Sequence, residues 1–78
     1  MRDLNKEIGE RVREARKKAG LSLEDVANAI IPPISLQALA GYERGKHRWP
    51  VSILAEVARV LRVPILTLIG DSYAEPIA

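Results

Sequence analysis

Glycine and proline recur along this chain at intervals that leave room only for short helices. Gly20, the Pro32-Pro33 pair, Gly45 with Pro50, Pro64 and Gly70 divide residues 1–70 into five segments. Proline lacks the donor that a helix interior needs and drives the residue before it out of the helical region; glycine readily takes the conformation that ends a helix. Each segment carries its own helical signal. Leu4, Ile8, Val12 and Ala15 recur at spacings of four, four and three, which predicts an amphipathic helix from about Asn5 to Ala19 with a narrow apolar stripe. Lys17 and Lys18 suit its C-terminus and Gly20 stops it. Ser22 is the N-cap of a second helix, with Glu24 and Asp25 in its first turn and Val26, Ala27 and Ile30 on its apolar face. Pro32 and Pro33 end it.

Ser35 caps a third helix over Leu36–Glu43, with Leu36, Leu39 and Tyr42 at i, i+3 and i+6. Gly41 weakens this helix and Gly45 stops it. Pro50 suits the first turn of a fourth, whose inward face is Leu54, Val57, Ala58 and Leu61, and Val63-Pro64 break it. A last short helix, Ile65 to Ile69, ends at Gly70. No stretch alternates as a strand does, and no segment repeats another. The expected fold is therefore all-α: a compact five-helix domain over residues 1–70. A tail, residues 71–78, lacks periodicity and is expected to fray or to serve in contacts.

Composition narrows the function. A chain of 78 residues makes one domain, which at this size buries only about 60% of its unfolded surface. Hydrophobic residues are 47% of it, with no Phe and one Trp, so the core must be built from Leu, Ile, Val and Ala. The absence of cysteine removes disulfides and thiolate metal sites and fits a reducing cytoplasm. One histidine does not make a zinc site. No metal or cofactor is expected. No apolar run approaches the roughly 18 residues of a membrane span, and the N-terminus MRDLNKEIGER is too charged for a secretory signal. An enzyme is not expected either. There is no glycine-rich phosphate loop, His47 stands alone, and Glu24-Asp25 reads as a pair of dipole-complementing acids. So small a bundle also offers little basis for a small-molecule cleft.

Net charge is only +2, but its distribution is uneven. Residues 1–20 hold seven Lys/Arg against four acids, residues 21–42 hold no Lys/Arg, and residues 43–62 hold five against two. Arg44, Lys46 and Arg48 cluster beside His47. Such a patch on a nearly neutral chain is compatible with phosphate contacts, and equally with an ordinary solvated loop. The pair Leu23–Ile30 and Leu36–Glu43, joined by a tight connector, has the helix-turn-helix arrangement. In that arrangement the second helix protrudes so that its N-terminal residues reach base edges in a major groove about 12 Å wide.

The stretches IGERVREARKKAGLSLEDVA, SLQALAGYERGK and ILAEVARVLRVPILTLIG resemble the phage Cro and repressor-like helix-turn-helix regulators, the XRE family, from about Ile8 to Gly70. Arg16, Leu21-Ser22, Ala27 and Tyr42-Glu43-Arg44-Gly45-Lys46 carry the likeness in their order and spacing. The resemblance implies a lambda-repressor-like fold and a sequence-specific double-stranded DNA-binding regulator, most often a repressor. It implies a buried structural ion pair between Arg16 and Glu43, and at Ala27 a close approach of two helices. DNA contacts would come from Ser35, Leu36, Gln37, Ala40 and Gly41, with Arg44, Lys46, His47 and Arg48 gripping the backbone beyond. Gln37 is the best base reader, because its amide can be bidentate to adenine. Leu36 has two readings, a thymine-methyl contact or core packing. Trp49 is expected to pack beneath the loop rather than stack on the sugar-phosphate.

A protomer of this size reads few base pairs, so a homodimer on a palindromic operator is expected, with half-sites about 34 Å apart. The apolar stretch Val63 to Ile69 offers Ile65, Leu66, Leu68 and Ile69, with Tyr73 and Ile77 beyond, as its interface. The same stretch could instead close the monomer's core. The sequence also departs from the family pattern. Ile31-Pro32-Pro33-Ile34 replaces a shorter glycine-containing turn, Leu23 stands where a DNA-contacting Gln is common, and Leu36 to Gly41 holds one polar side chain and no cation. Base readout is therefore thin, and affinity should lean on phosphates and DNA shape. The alternative is a protein–protein interaction module on the same fold.

Overall fold

The computed structural model describes residues 3–70, and among these it contains five helices and no strand. They are α1 (Leu4–Lys18), α2 (Leu23–Ala29), α3 (Leu36–Glu43), α4 (Val51–Leu61) and α5 (Ile65–Ile69). The tail, with Tyr73 and Ile77, lies outside the described residues.

Local chemistry accounts for most of the boundaries. Asp3 accepts the Lys6 N–H and opens α1, and the chain turns at Gly20 with φ +73°. Ser22 and Asp25 form a reciprocal capping box at the start of α2: the Ser22 hydroxyl accepts the Asp25 N–H at 3.0 Å, and the Asp25 carboxylate accepts the Ser22 N–H at 2.9 Å. That Ser22 N–H bond, and after it the side-chain bond, holds the Asp25 carboxyl below its usual pKa. Ser35 accepts the Ala38 N–H at 3.0 Å and caps α3. The end of α4 departs from expectation. It is not Val63 that breaks the helix but Arg62, which takes the left-handed conformation at φ 59°. This lets the Val63 N–H close on the Ala58 carbonyl before Pro64 leads into α5.

The core sits where the five apolar faces meet. Val12, Val26, Leu39, Val57 and Leu68, one from each helix, are fully buried together with Ile30. Burial of such a side chain stabilises the fold by about 1.5–3 kcal/mol. α1 packs against α3 and α5, and α2 braces α3 and α4. The crossing of α1 over the end of α3 is close because Gly9 has no side chain. A Cβ there would fall on the Glu43 carbonyl and lie 2.8 Å from that of Tyr42.

α5 corrects one expectation. Leu68 does not belong to a surface available to a second protomer, because it is fully buried in this chain's own core. Ile65 and Ile69 are half-buried against the same cluster, and Leu66 is the large apolar residue of α5 that stands out, at 66% exposure. The helix is five residues long, and its inward side covers α1 and α4.

Candidate nucleic-acid interface

The Ser35 cap leaves the first turn of α3 at the surface. Leu36 and Gln37 are exposed, Leu36 at 41%, and Ala40 is half-buried. Gly41 differs from its expected place in the groove. It is buried, and the His47 ring closes over it so tightly that a Cβ at Gly41 would lie 3.0 Å from His47 Cδ2. The outward surface of α3 is thus Leu36, Gln37 and part of Ala40. Its ionisable residues are Tyr42, half-buried, and Glu43, buried, so this surface is uncharged.

Charge enters after the helix. Arg44, Lys46, His47 and Arg48 are all exposed on the loop that follows. That loop is held against α1 at two points. Gly45 turns at φ +77° directly over Lys6, whose Cα would be 2.8 Å from a Cβ at that position. Farther on, the Trp49 N–H donates to Asn5 Oδ1 at 3.0 Å. Trp49 itself is buried beneath the loop, with its ring 5.2 Å from that of Tyr42, so it packs rather than presenting a stacking face. His47 meets the edge of the Tyr42 ring at 6.0 Å. The cations are therefore presented from an anchored loop. On the side of α1 that faces α3, a groove lined by Lys6, Glu10, Arg13 and Arg44 opens around Leu23 and Ala40. Sequence reasoning did not single out Lys6 or Arg13, since neither is near the basic loop in the chain.

Behind this surface lies a charged pair. Arg16 Nε donates to Glu43 Oε2 at 2.7 Å and Nη2 donates to Oε1 at 3.1 Å, a bidentate arrangement with both side chains nearly buried. The remaining Nη1 donates to the Leu21 carbonyl at 3.0 Å. One guanidinium thus joins the end of α1, the connector into α2 and the end of α3. Bidentate geometry makes this one of the stronger hydrogen-bonded contacts available to a protein.

The turn between α2 and α3 is also tied down, by contacts absent from the sequence reading. The Ile31 N–H donates to Glu56 Oε1 at 3.0 Å, Arg59 Nη2 donates to the Ala29 carbonyl at 3.1 Å, and Arg59 and Glu56 pair at 2.9 Å. The hydrogen bonds from Arg59, and then that from Ile31, hold the Glu56 carboxyl below its usual pKa; Glu56 in turn raises that of Arg59. Asn5 and Gly9, and the contacts of Glu56 and Arg59 with the turn, carried no recognisable signal, because in each case the partner is a main-chain group distant in sequence. No group of three or more potential metal-ligating side chains occurs among the described residues, and none of their helices is long and apolar enough to cross a membrane.

Comparison with known proteins agrees with this arrangement. A family model described as helix-turn-helix matches residues 12–68. A protein of Rhodospirillum rubrum described as an uncharacterized transcriptional regulator in the ATPase CF(0) region is 38% identical over 64 residues. That alignment covers 82% of this chain, which spans 57% of the relative's length. No solved structure matches the chain at a significant level.

Proposed function

The chain belongs to the helix-turn-helix family, and on that premise we propose that it binds duplex DNA in a sequence-dependent manner and regulates transcription, as a repressor. The observation that carries this reading is the pairing of an exposed, capped first turn of α3 with four exposed residues of the anchored loop, Arg44, Lys46, His47 and Arg48. α3 enters the major groove. Gln37 reads a base edge there, Leu36 contacts a thymine methyl, and Ala40 allows close approach. The Ser35 hydroxyl accepts the Ala38 N–H and keeps its own proton to donate to a phosphate. The loop cations neutralise phosphates and make binding steeply salt-dependent. With so few polar groups on α3, discrimination rests partly on DNA shape.

Two protomers on a palindromic site double the number of base pairs read. Their contact is centred on Leu66, with the outer parts of Ile65 and Ile69. Residues 1–70 are the DNA-binding unit, leaving residues 71–78 as a tail.

Selection of bound sequences from a random duplex library tests the reading, and a palindromic consensus is expected. Gln37→Ala is expected to cost roughly 1–3 kcal/mol at one base position and to relax preference there. An unchanged consensus in that variant would mean that α3 is not oriented in the groove as described. A second reading has support in two exposed large apolar side chains, Ile31 at 72% and Leu36 at 41%, on the turn and at the start of α3: a protein-interaction surface on the same fold. A gel shift across a salt series separates the two. Failure to bind any duplex even at low salt favours the interaction module.

A further inference from the structure

We propose that Glu56 and Arg59, on α4, are positioning residues that set how α3 is presented to DNA by clamping the turn between α2 and α3. The inference rests on the DNA-binding reading above.

It starts from the donors of the turn. The Ile30 N–H bonds back to the Val26 carbonyl and the Ile34 N–H to the Ala27 carbonyl, both within α2. Pro32 and Pro33 have no N–H. Between Ile30 and Ile34, Ile31 therefore holds the one donor that α2 does not take, and Glu56 accepts it at 3.0 Å. On the acceptor side, the last carbonyls of a helix lack intrahelical partners, and a cation there is favourable. α2 has no basic residue in its last turn. Arg59 supplies the cation from α4, donating to the Ala29 carbonyl at 3.1 Å. The two side chains also bind each other, Arg59 Nη2 to Glu56 Oε1 at 2.9 Å, so each holds the other in the geometry it needs.

The clamp acts on the two peptide groups that flank Ile30, where the chain leaves α2. Ser35, which opens α3, is four residues beyond Ile31. The direction in which the chain leaves α2 therefore fixes where the first turn of α3 begins. A turn of this length with two prolines and one spare donor has few bonds of its own to hold that direction. The contact with α4 provides it from outside the helix-turn-helix. Because Ala29, Ile31 and Arg59 are exposed and Glu56 is only half-buried, this is a device for orientation, and the fold does not depend on it for its core.

The test exchanges the charges. In the double variant Glu56→Arg/Arg59→Glu an ion pair at the same spacing is kept. The guanidinium now on position 56 cannot accept from Ile31, however, and the carboxylate now on position 59 cannot donate to Ala29. For this variant and the unaltered protein, affinities are measured for a duplex chosen by selection and for a random duplex, together with the urea midpoint. The expected result is a fall of about tenfold in the ratio of the two affinities, comparable to loss of one base contact. Affinity for random duplex and its salt slope should stay within about twofold, because the phosphate-binding loop is untouched. A ratio unchanged in the exchanged variant overturns the proposal.

Amide hydrogen exchange at Ile31 in the unaltered protein gives a second decision that does not depend on the variant folding. Protection well above that of a free amide supports the clamp, and exchange at the free rate overturns it. If the unaltered protein binds no duplex at all, the DNA reading fails and the positioning role falls with it. If it binds and discriminates while the exchanged variant does so equally well, the positioning role alone fails.

Discussion

The two ends of α3 are held in opposite ways. At its C-terminal end, Glu43 is buried and bidentate to Arg16, Gly9 lets the α1 backbone touch the Glu43 and Tyr42 carbonyls, and the His47 ring closes over Gly41. At its N-terminal end, Ser35, Leu36 and Gln37 are exposed, and the turn before them is gripped at the surface by Glu56 and Arg59. The first attachment removes charge from water and leaves no room for adjustment. The second uses hydrogen bonds to main-chain groups that water could otherwise satisfy. The difference shows how a very small domain can keep one end of a helix fixed and the other accessible. Burial supplies the rigidity, and surface contacts set the direction at modest cost in stability.

Breaking the buried end should have the largest effect. Glu43→Gln or Arg16→Met leaves one charge nearly buried without its counter-ion, which typically costs about 3–5 kcal/mol. For a domain of this size that is a large share of the total stability. Urea denaturation should show most of the loss, and replacing both partners with apolar residues of similar volume should recover much of it. An equally large loss in the double replacement would mean that packing, and not the uncompensated charge, dominates.

Gly9→Ala probes the same end through its backbone. The added methyl has nowhere to go but the Glu43 carbonyl, so α1 and α3 must separate, and overpacking of this kind costs about 1–3 kcal/mol. A thermal midpoint unchanged by this substitution would show that the crossing can widen freely. At the exposed end, Ser35→Ala removes the cap of α3 at a cost of about 1 kcal/mol. Its effect on DNA discrimination should exceed its effect on the urea midpoint, the reverse of the pattern at Glu43.

Acid gives the smallest effect and a sharp one in sign. Glu56 is held below its usual value of 4.5 by Arg59 and Ile31, and Asp25 below 3.8 by Ser22. A carboxyl whose folded pKa is depressed adds stability that is complete above the unfolded value and is lost as the pH falls through the folded one. The urea midpoint should therefore be insensitive to these groups above the usual carboxylate range and decline below it. The decline should be shallower in Asp25→Asn/Glu56→Gln. Asp25 is exposed and Glu56 only half-buried, so the change should be small beside that at Glu43.

Much of the helix-turn-helix was legible in the residues themselves. Ser22 and Ser35 announced the starts of α2 and α3, Gly20 and the two prolines announced ends, and Val12, Val26, Leu39 and Val57 lay on stripes that did become the core. Three placements were not legible. Leu68 belongs to the monomer's core, Gly41 is covered, and Arg62 rather than Val63 turns the chain after α4. The pattern Ile65-Leu66-Thr67-Leu68-Ile69 is apolar on every side but one, so periodicity does not say which residue turns inward. A glycine shows no sign of what packs on it, so the cover over Gly41 leaves no trace in the residue pattern. The left-handed cap at Arg62 uses a residue type that seldom adopts that conformation.

What the sequence alone determined is what acts over three or four residues: the caps, the stops, the apolar stripes and the uneven placing of charge. These follow from hydrogen bonding and helical repeat within one segment, so residue type and spacing suffice to specify them. What only the tertiary structure decided are the joints between segments: Asn5 to Trp49, Gly9 against Glu43, Glu56 to Ile31 and Arg59 to Ala29. In each of them a main-chain group is one of the partners. Every residue but proline carries the same N–H and every residue the same carbonyl, so such a contact leaves no mark on its partner's identity, and it exists only once packing has brought the helices together.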